Sequence, residues 1–127
     1  KSIYQELYMK YAVINNNVKS LIKNLRKSYK VYALTNTNIL HYTINKKRKV
    51  FNDFDRVFSS FKIKIKKPNQ PIFKYLLKKI KCKPDEIIFI DDQEQNIHAA
   101  RKLGINGIIF KKYNQLVKEL RKLGILK

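Results

Sequence analysis

Ile87-Ile88-Phe89-Ile90-Asp91-Asp92-Gln93-Glu94-Gln95-Asn96 is the stretch on which the fold turns. Four apolar residues in a row, without alternation, are what a strand buried on both faces requires. Pro84 breaks the chain before this run, and two acids end it. Beyond the acids, Ile97, Ala100 and Leu103 ride a helix, which Gly104 closes as a left-handed stop.

The same pattern extends to both sides. Upstream, Val31-Tyr32-Ala33-Leu34 is a second uncharged run, ending at Thr35-Asn36-Thr37-Asn38. Before it, Val18, Leu21, Ile22 and Leu25 predict an amphipathic helix over 17–28, capped by Asn16 or Asn17. A helix is expected over 38–47, and a short strand near 56–59 through Val57 and Phe58. Lys67-Pro68-Asn69-Gln70-Pro71 leads into a helix whose face is Ile72, Phe73, Leu76, Leu77 and Ile80. Downstream come a strand near 107–110 and a last helix lined by Leu116, Val117, Leu120 and Leu123, closed by Gly124.

Uncharged strands alternating with helices predict an α/β fold, a parallel sheet with helices on both faces. The strand ending at Thr35 is expected beside the one from Val57, and the strand ending at Asp91 beside the one from Ile108. Ligands of such sheets bind beyond the carboxyl ends of the strands. That rule selects Thr35-Asn36, Ser59-Ser60 with the loop that follows, and Asp91-Asp92.

Each selection has a chemical and a plain reading. Thr35 and Asn36 offer a hydroxyl and an amide near a helix start, which suits phosphate oxygens and equally suits a helix cap. Lys67, stiffened by Pro68, could neutralise a phosphate. With Lys62, Lys64 and Lys66 close by, it also reads as part of a solvated basic loop. Asp91 and Asp92 repel one another unless a cation offsets them. One or two carboxylates with phosphate oxygens and waters are how magnesium is usually held. Capping of the next helix by Asp92 would account for only one of the two.

At 127 residues the chain fits one domain, and 44% hydrophobic residues suffice for a packed core. No apolar run approaches the roughly 20 residues of a membrane span. No secretory leader is visible, and Lys1 in place of Met predicts a processed or truncated piece. A single cysteine, Cys82, excludes an internal disulfide and reads as a small buried apolar residue. His41 and His98 are isolated and suggest no metal site.

The formal charge is +20, from 29 basic and 9 acidic residues. Residues 41–83 carry fourteen of the bases and two of the acids, including Lys46-Lys47-Arg48-Lys49. A field of this kind attracts phosphates. A Lys-rich, Arg-poor chain with much Ile, Asn, Tyr and Phe is also what an AT-rich genome encodes.

The order strand-Thr, loop-Lys-Pro, strand-Asp-Asp resembles the haloacid dehalogenase-like (HAD) superfamily of hydrolases. Its second motif is matched by Ala33-Leu34-Thr35-Asn36, its third by Lys67-Pro68-Asn69-Gln70, and its fourth by Ile88-Phe89-Ile90-Asp91-Asp92. The run from Asp91 through Asn96, Ala100 and Leu103-Gly104-Ile105 is similar to the members that have a paired Asp followed by Asn. The resemblance covers about residues 17–124. It implies a Rossmann-like core and Mg-dependent phosphatase chemistry through an aspartyl-phosphate. Thr35, with Asn36 beside it, would hold phosphate, Lys67 would offset its charge, and Asp91 with Asp92 would hold the metal.

The family's first motif, Asp-x-Asp after an N-terminal strand, has no match. Asp53-x-Asp55 has the spacing but precedes a strand and follows the Thr motif, so it is rejected. The central strand that would carry the motif is expected to be absent from this chain. Its place would then be filled by a missing N-terminal segment or a partner chain, or be closed by the two halves meeting. On the same resemblance, residues such as Tyr4, Leu7, Tyr8 and Tyr11 read as the tail of a cap helix leading into the core. Residues 1–16 are therefore expected to be a cap remnant or linker, and 17–127 an incomplete core.

Two functions follow. One is a cytoplasmic HAD-type phosphatase acting on a phosphorylated small molecule, inactive without its nucleophile. The other is a catalytically lost, basic HAD-like module binding RNA or a ribonucleoprotein through residues 41–83. Neither involves a membrane.

Overall fold

The computed structural model of the chain describes residues 4–10, 15–35, 54–59, 73, 77–79 and 82–127. The helix expected over 38–47 lies outside them, and most of the one from Ile72 to Ile80 does too.

The described elements run β1 (Glu6–Lys10), α1 (Asn16–Leu25), β2 (Lys30–Thr35), β3 (Arg56–Ser59), β4 (Ile87–Asp91), α2 (Glu94–Arg101), β5 (Asn106–Ile109) and α3 (Tyr113–Lys122). Pro84–Glu86 forms one 3-10 turn ahead of β4. The strands make one sheet in the order β3-β2-β1-β4-β5, and every pairing is parallel. The expected neighbours are found: β2 lies beside β3, and β4 beside β5.

Alternate residues of each strand point to opposite faces, so an uninterrupted apolar run builds two cores at once. On one face Leu7, Met9, Val31, Ala33, Ile88 and Ile90 pack against Val18, Leu21, Ile22 and Leu25 of α1 and Leu116 and Leu120 of α3. On the other, Tyr8, Tyr32, Leu34 and Phe89 meet Phe73 and Ile97, Ala99 and Ala100 of α2. Helices therefore cover both faces, as expected.

Local details follow from cap chemistry. Asn15, one residue before the expected cap, starts α1 by accepting the Val18 N–H at 3.0 Å. Gly104 ends the turn after α2 at φ +85°, where a side chain would be strained. No described helix is long and apolar enough to cross a membrane.

One expectation is corrected. The central position of the sheet is not absent from the chain: β1 fills it. Glu6–Lys10 pairs with Lys30–Leu34 on one side, and Glu6–Met9 pairs with Ile87–Ile90 on the other. The residues read as the tail of a cap helix are thus strand over 6–10. The physical reason is the pair of open ladders. Without a strand between them, β2 and β4 would each leave a row of backbone N–H and C=O groups unpaired in the core. Satisfying both outweighs the helical spacing of a short segment.

Glu6 disguised this strand, because a charge is foreign to a central position. It is 7% exposed, and its carboxylate accepts the Tyr8 hydroxyl at 3.0 Å and the Tyr32 hydroxyl at 3.2 Å. Those two rings stack with centroids 4.8 Å apart. The buried acid is tolerated because its oxygens are hydrogen-bonded.

Candidate functional site

All the strands are parallel, so Thr35, Ser59 and Asp91 end β2, β3 and β4 at one edge of the sheet. Between the first and the last of these ends stands the end of β1. Leu34 pairs with Lys10, and Met9 pairs with Ile90. Lys10 therefore leaves the sheet one step before Thr35 and alongside Asp91.

Asp91 is fully buried. A carboxylate so placed must be supplied with donors. The Gln93 N–H donates to Oδ1 at 2.9 Å, and the Asn96 side-chain amide donates to Oδ2 at 2.9 Å. The backbone carbonyl of Asp91 accepts the Phe110 N–H at 2.8 Å, which ties the turn to the exit of β5. The N-cap of α2 is Gln93, so Asp92 does not act as the helix cap. Asp92 is exposed at the same turn.

Asn96, quoted in the sequence only as part of a pattern, is the side chain that reaches Asp91 from α2. It is 2% exposed, and its Oδ1 is buried with no hydrogen-bond partner. The amide orientation follows from Asp91: turning the oxygen inward would set two acceptors against each other. The signal in sequence was the spacing of Asn96 from Asp91 across the first turn of a helix.

Magnesium is the ion that the resemblance implied. The donors at this turn are hard oxygens: the carboxylates of Asp91 and Asp92 and the unpartnered amide oxygen of Asn96. No group of three His, Cys, Asp or Glu side chains that could hold a metal occurs among the described residues. A magnesium-type site uses one or two carboxylates and fills its remaining positions with phosphate oxygens and water. The residues fit that ion in kind and number, and do not fit a closed zinc cage.

Of the other expected site residues, Thr35 is at the carboxyl end of β2, where its backbone belongs to the ladder with Ser59. Asn36 and Lys67 lie outside the described residues. So do Lys46–Lys49 and most of the 41–83 segment expected to bind RNA.

Asp55, rejected as a nucleophile, sits at the opposite edge of the sheet. One oxygen accepts the Val31 N–H at 2.7 Å and the other pairs with Arg26 at 3.1 Å. It closes the amino ends of β2 and β3. His98 is exposed and lies 3.9 Å from Glu94 on α2. The Cys82 thiol is pushed up to about 11, first by burial and then by the charge and hydrogen bonding of Glu6. It is accordingly protonated at neutral pH and no nucleophile.

A family model for haloacid dehalogenase-like hydrolases matches residues 3–104. The chain is 36% identical over 90 residues to D-ribitol-5-phosphate phosphatase of Bacteroides thetaiotaomicron, covering 65% of this chain and 44% of that protein. It is 28% identical over 104 residues to drimenol cyclase of Aspergillus calidoustus, covering 81% of this chain and 20% of that protein. The chain thus spans less than half the length of both relatives. Among solved structures, a HAD family enzyme of Bacteroides thetaiotaomicron in complex with magnesium and inorganic phosphate superposes with a TM-score of 0.72 at 32% identity. That match covers 81% of this chain and 57% of the other. A protein from Corynebacterium glutamicum superposes with a TM-score of 0.78 over 97% of this chain and 96% of its own, at 20% identity, a likeness of fold.

Proposed function

The chain belongs to the haloacid dehalogenase-like hydrolases, and from that premise we propose that it serves magnesium-dependent, phosphatase-type phosphoryl transfer through an aspartyl-phosphate. Its part is to hold the phosphate and the metal. The substrate class is a phosphorylated small molecule, as the phosphatases among its relatives suggest. The nucleophilic Asp is not among the motifs of these 127 residues, so the chain by itself turns over no phosphomonoester.

The observation that carries this reading is the turn after β4: a buried Asp91 carboxylate aimed by Gln93 and Asn96, with exposed Asp92 beside it. Asp91 and Asp92 would hold magnesium, which when bound supplies positive charge to phosphate oxygens. Gln93 and Asn96 keep the Asp91 carboxylate in one orientation. Thr35, with Asn36 following, would donate hydrogen bonds to phosphate oxygens from the end of β2. Lys67 would neutralise the charge that gathers on the phosphoryl group.

The test is a magnesium titration of the chain with inorganic phosphate present, followed by NMR. The Asn96 side-chain amide and the Gln93 N–H are expected to shift saturably at millimolar magnesium, and Asp92→Asn to weaken the effect. No shift at either group overturns the reading.

A further inference from the structure

We propose that the groove between α1 and α3 is a docking site for single-stranded RNA. It is a second site, which does not use the turn after β4 and does not depend on the phosphatase reading. Both helices pack on the same face of the sheet. Between them lies a groove of about 460 Å³. Tyr113, Val117 and Arg121 recur at every fourth residue and so form one stripe along α3, roughly 12 Å long at about 1.5 Å per residue. Opposite it, Leu21 and Leu25 of α1 are buried and make an apolar floor. Tyr29 and Tyr113 are half-buried: each packs against the core and also lines the groove.

The charge singles out these two helices. Residues 15–30, which contain α1, carry five bases and no acid, and residues 111–127, which contain α3, carry six bases and one acid. Residues 91–106, around α2, carry two bases and three acids. A general excess of Lys would load all three stretches alike. The single acid, Glu119, lines a different depression, with Gly107 and Leu123. No Asp or Glu is among the residues lining the groove. Arg121 and Lys127 stand exposed at its rim, and Lys23 and Lys27 are exposed on the α1 side. The Arg121 Nε donates to the Lys127 main-chain oxygen at 3.2 Å, which uses one of the five donors of a guanidinium.

Charge and shape together name the occupant. The phosphates of a polyanion meet the cations, and aromatic faces beside them accept unstacked bases. A duplex keeps its bases stacked inside and would leave the tyrosines unused. An anionic membrane would need apolar side chains on the outer face of α1, where Ser20, Lys23, Asn24 and Lys27 stand instead. Asn24 and Ser28 line the groove with polar side chains suited to the 2′-hydroxyls that set RNA apart from DNA.

The test is fluorescence anisotropy of the chain with a short labelled uridine oligonucleotide. Binding is expected, weakening steeply between about 50 and 200 mM salt as phosphate contacts are lost to counterions. Lys27→Glu/Arg121→Glu changes two exposed residues and is expected to weaken binding at least about tenfold and to flatten the salt dependence. Tyr113→Leu keeps an apolar body against the core and is expected to weaken binding about tenfold with the salt dependence unchanged, because stacking releases no counterion. Lys46→Ala/Lys47→Ala/Lys49→Ala is expected to cost less than either. No binding, tighter binding of a duplex of the same length, or equal binding of a DNA strand of the same sequence overturns the proposal. So does binding to phosphatidylserine vesicles in place of RNA, or a larger loss from the Lys46, Lys47 and Lys49 changes than from the groove variants. The magnesium titration reports separately on the phosphatase reading.

Discussion

The Asn96 side-chain amide donates to Asp91 Oδ2 at 2.9 Å, from a residue 2% exposed to one fully buried. The bond spans the exit of β4 and the first turn of α2, so one side chain on the helix fixes the aim of one on the sheet. Removing it takes away one of the donors to this carboxylate, another being the Gln93 N–H. Asn96→Leu is expected to cost about 1–3 kcal/mol, because a buried charged acceptor loses a partner. The check is the urea midpoint, together with a larger loss of magnesium response at Gln93 than Asn96→Asp produces.

The cluster at the amino edge predicts an alkaline limit to stability. Burial and Glu6 push the Cys82 thiol up to about 11, above the ordinary thiol value. Burial first, then Glu6, raises the phenols of Tyr8 and Tyr32 above the ordinary tyrosine value. A group raised on folding favours its neutral form in the fold. Its contribution is complete below the unfolded pKa and is lost as pH rises through the folded one. Stability is therefore expected to be flat up to about pH 9 and to fall above it. A urea midpoint that stays constant between neutral pH and pH 11 would contradict this.

Reactivity of Cys82 tests the same cluster by another route. Alkylation by iodoacetamide at pH 8 is expected to be on the order of a hundredfold slower in the folded chain than in urea, since the thiolate fraction falls tenfold per pKa unit. Glu6→Gln removes the nearby negative charge and is expected to speed the reaction. An unchanged rate would show that burial alone protects the thiol.

Gly107 predicts a steric cost that its conformation does not. A Cβ built there would sit 2.6 Å from Cγ2 of Ile97, a fully buried side chain on α2. A branched core residue cannot swing away as a surface lysine would. Gly107→Ala is expected to destabilise by about 1–3 kcal/mol through overpacking. Ile97→Ala, which removes Cγ2, is expected to lower the thermal midpoint less beside Gly107→Ala than in the parent chain.

The strands β2, β3, β4 and β5 were legible as short runs bounded by turn formers, and their neighbours followed from parallel alternation. Gly104 was legible as a helix end, and the start of α1 was legible to within one residue, Asn16 or Asn17 being expected and Asn15 found, because caps depend on backbone groups within one turn. The acids at the end of β4 were legible for the same local reason. What Asp91 and Asn96 do to each other was not, since the bond depends on how α2 leaves the sheet.

The sequence by itself determined that two pairs of parallel strands exist and where their chemical ends lie. A run of four or five apolar residues can bury itself in little else. Only the tertiary structure decided what stands between the pairs. Glu6-Leu7-Tyr8-Met9-Lys10 has charges at both ends and shares its apolar spacing with a helix, so nothing local selects the strand. The selection comes from Lys30–Leu34 and Ile87–Ile90, far along the chain, whose open backbone rows are both satisfied by those five residues. The buried Glu6 is settled the same way: the Tyr32 hydroxyl that holds one of its oxygens arrives from β2, 26 residues later. Contacts of that range carry no pattern in the local sequence, because they exist only once the sheet has formed.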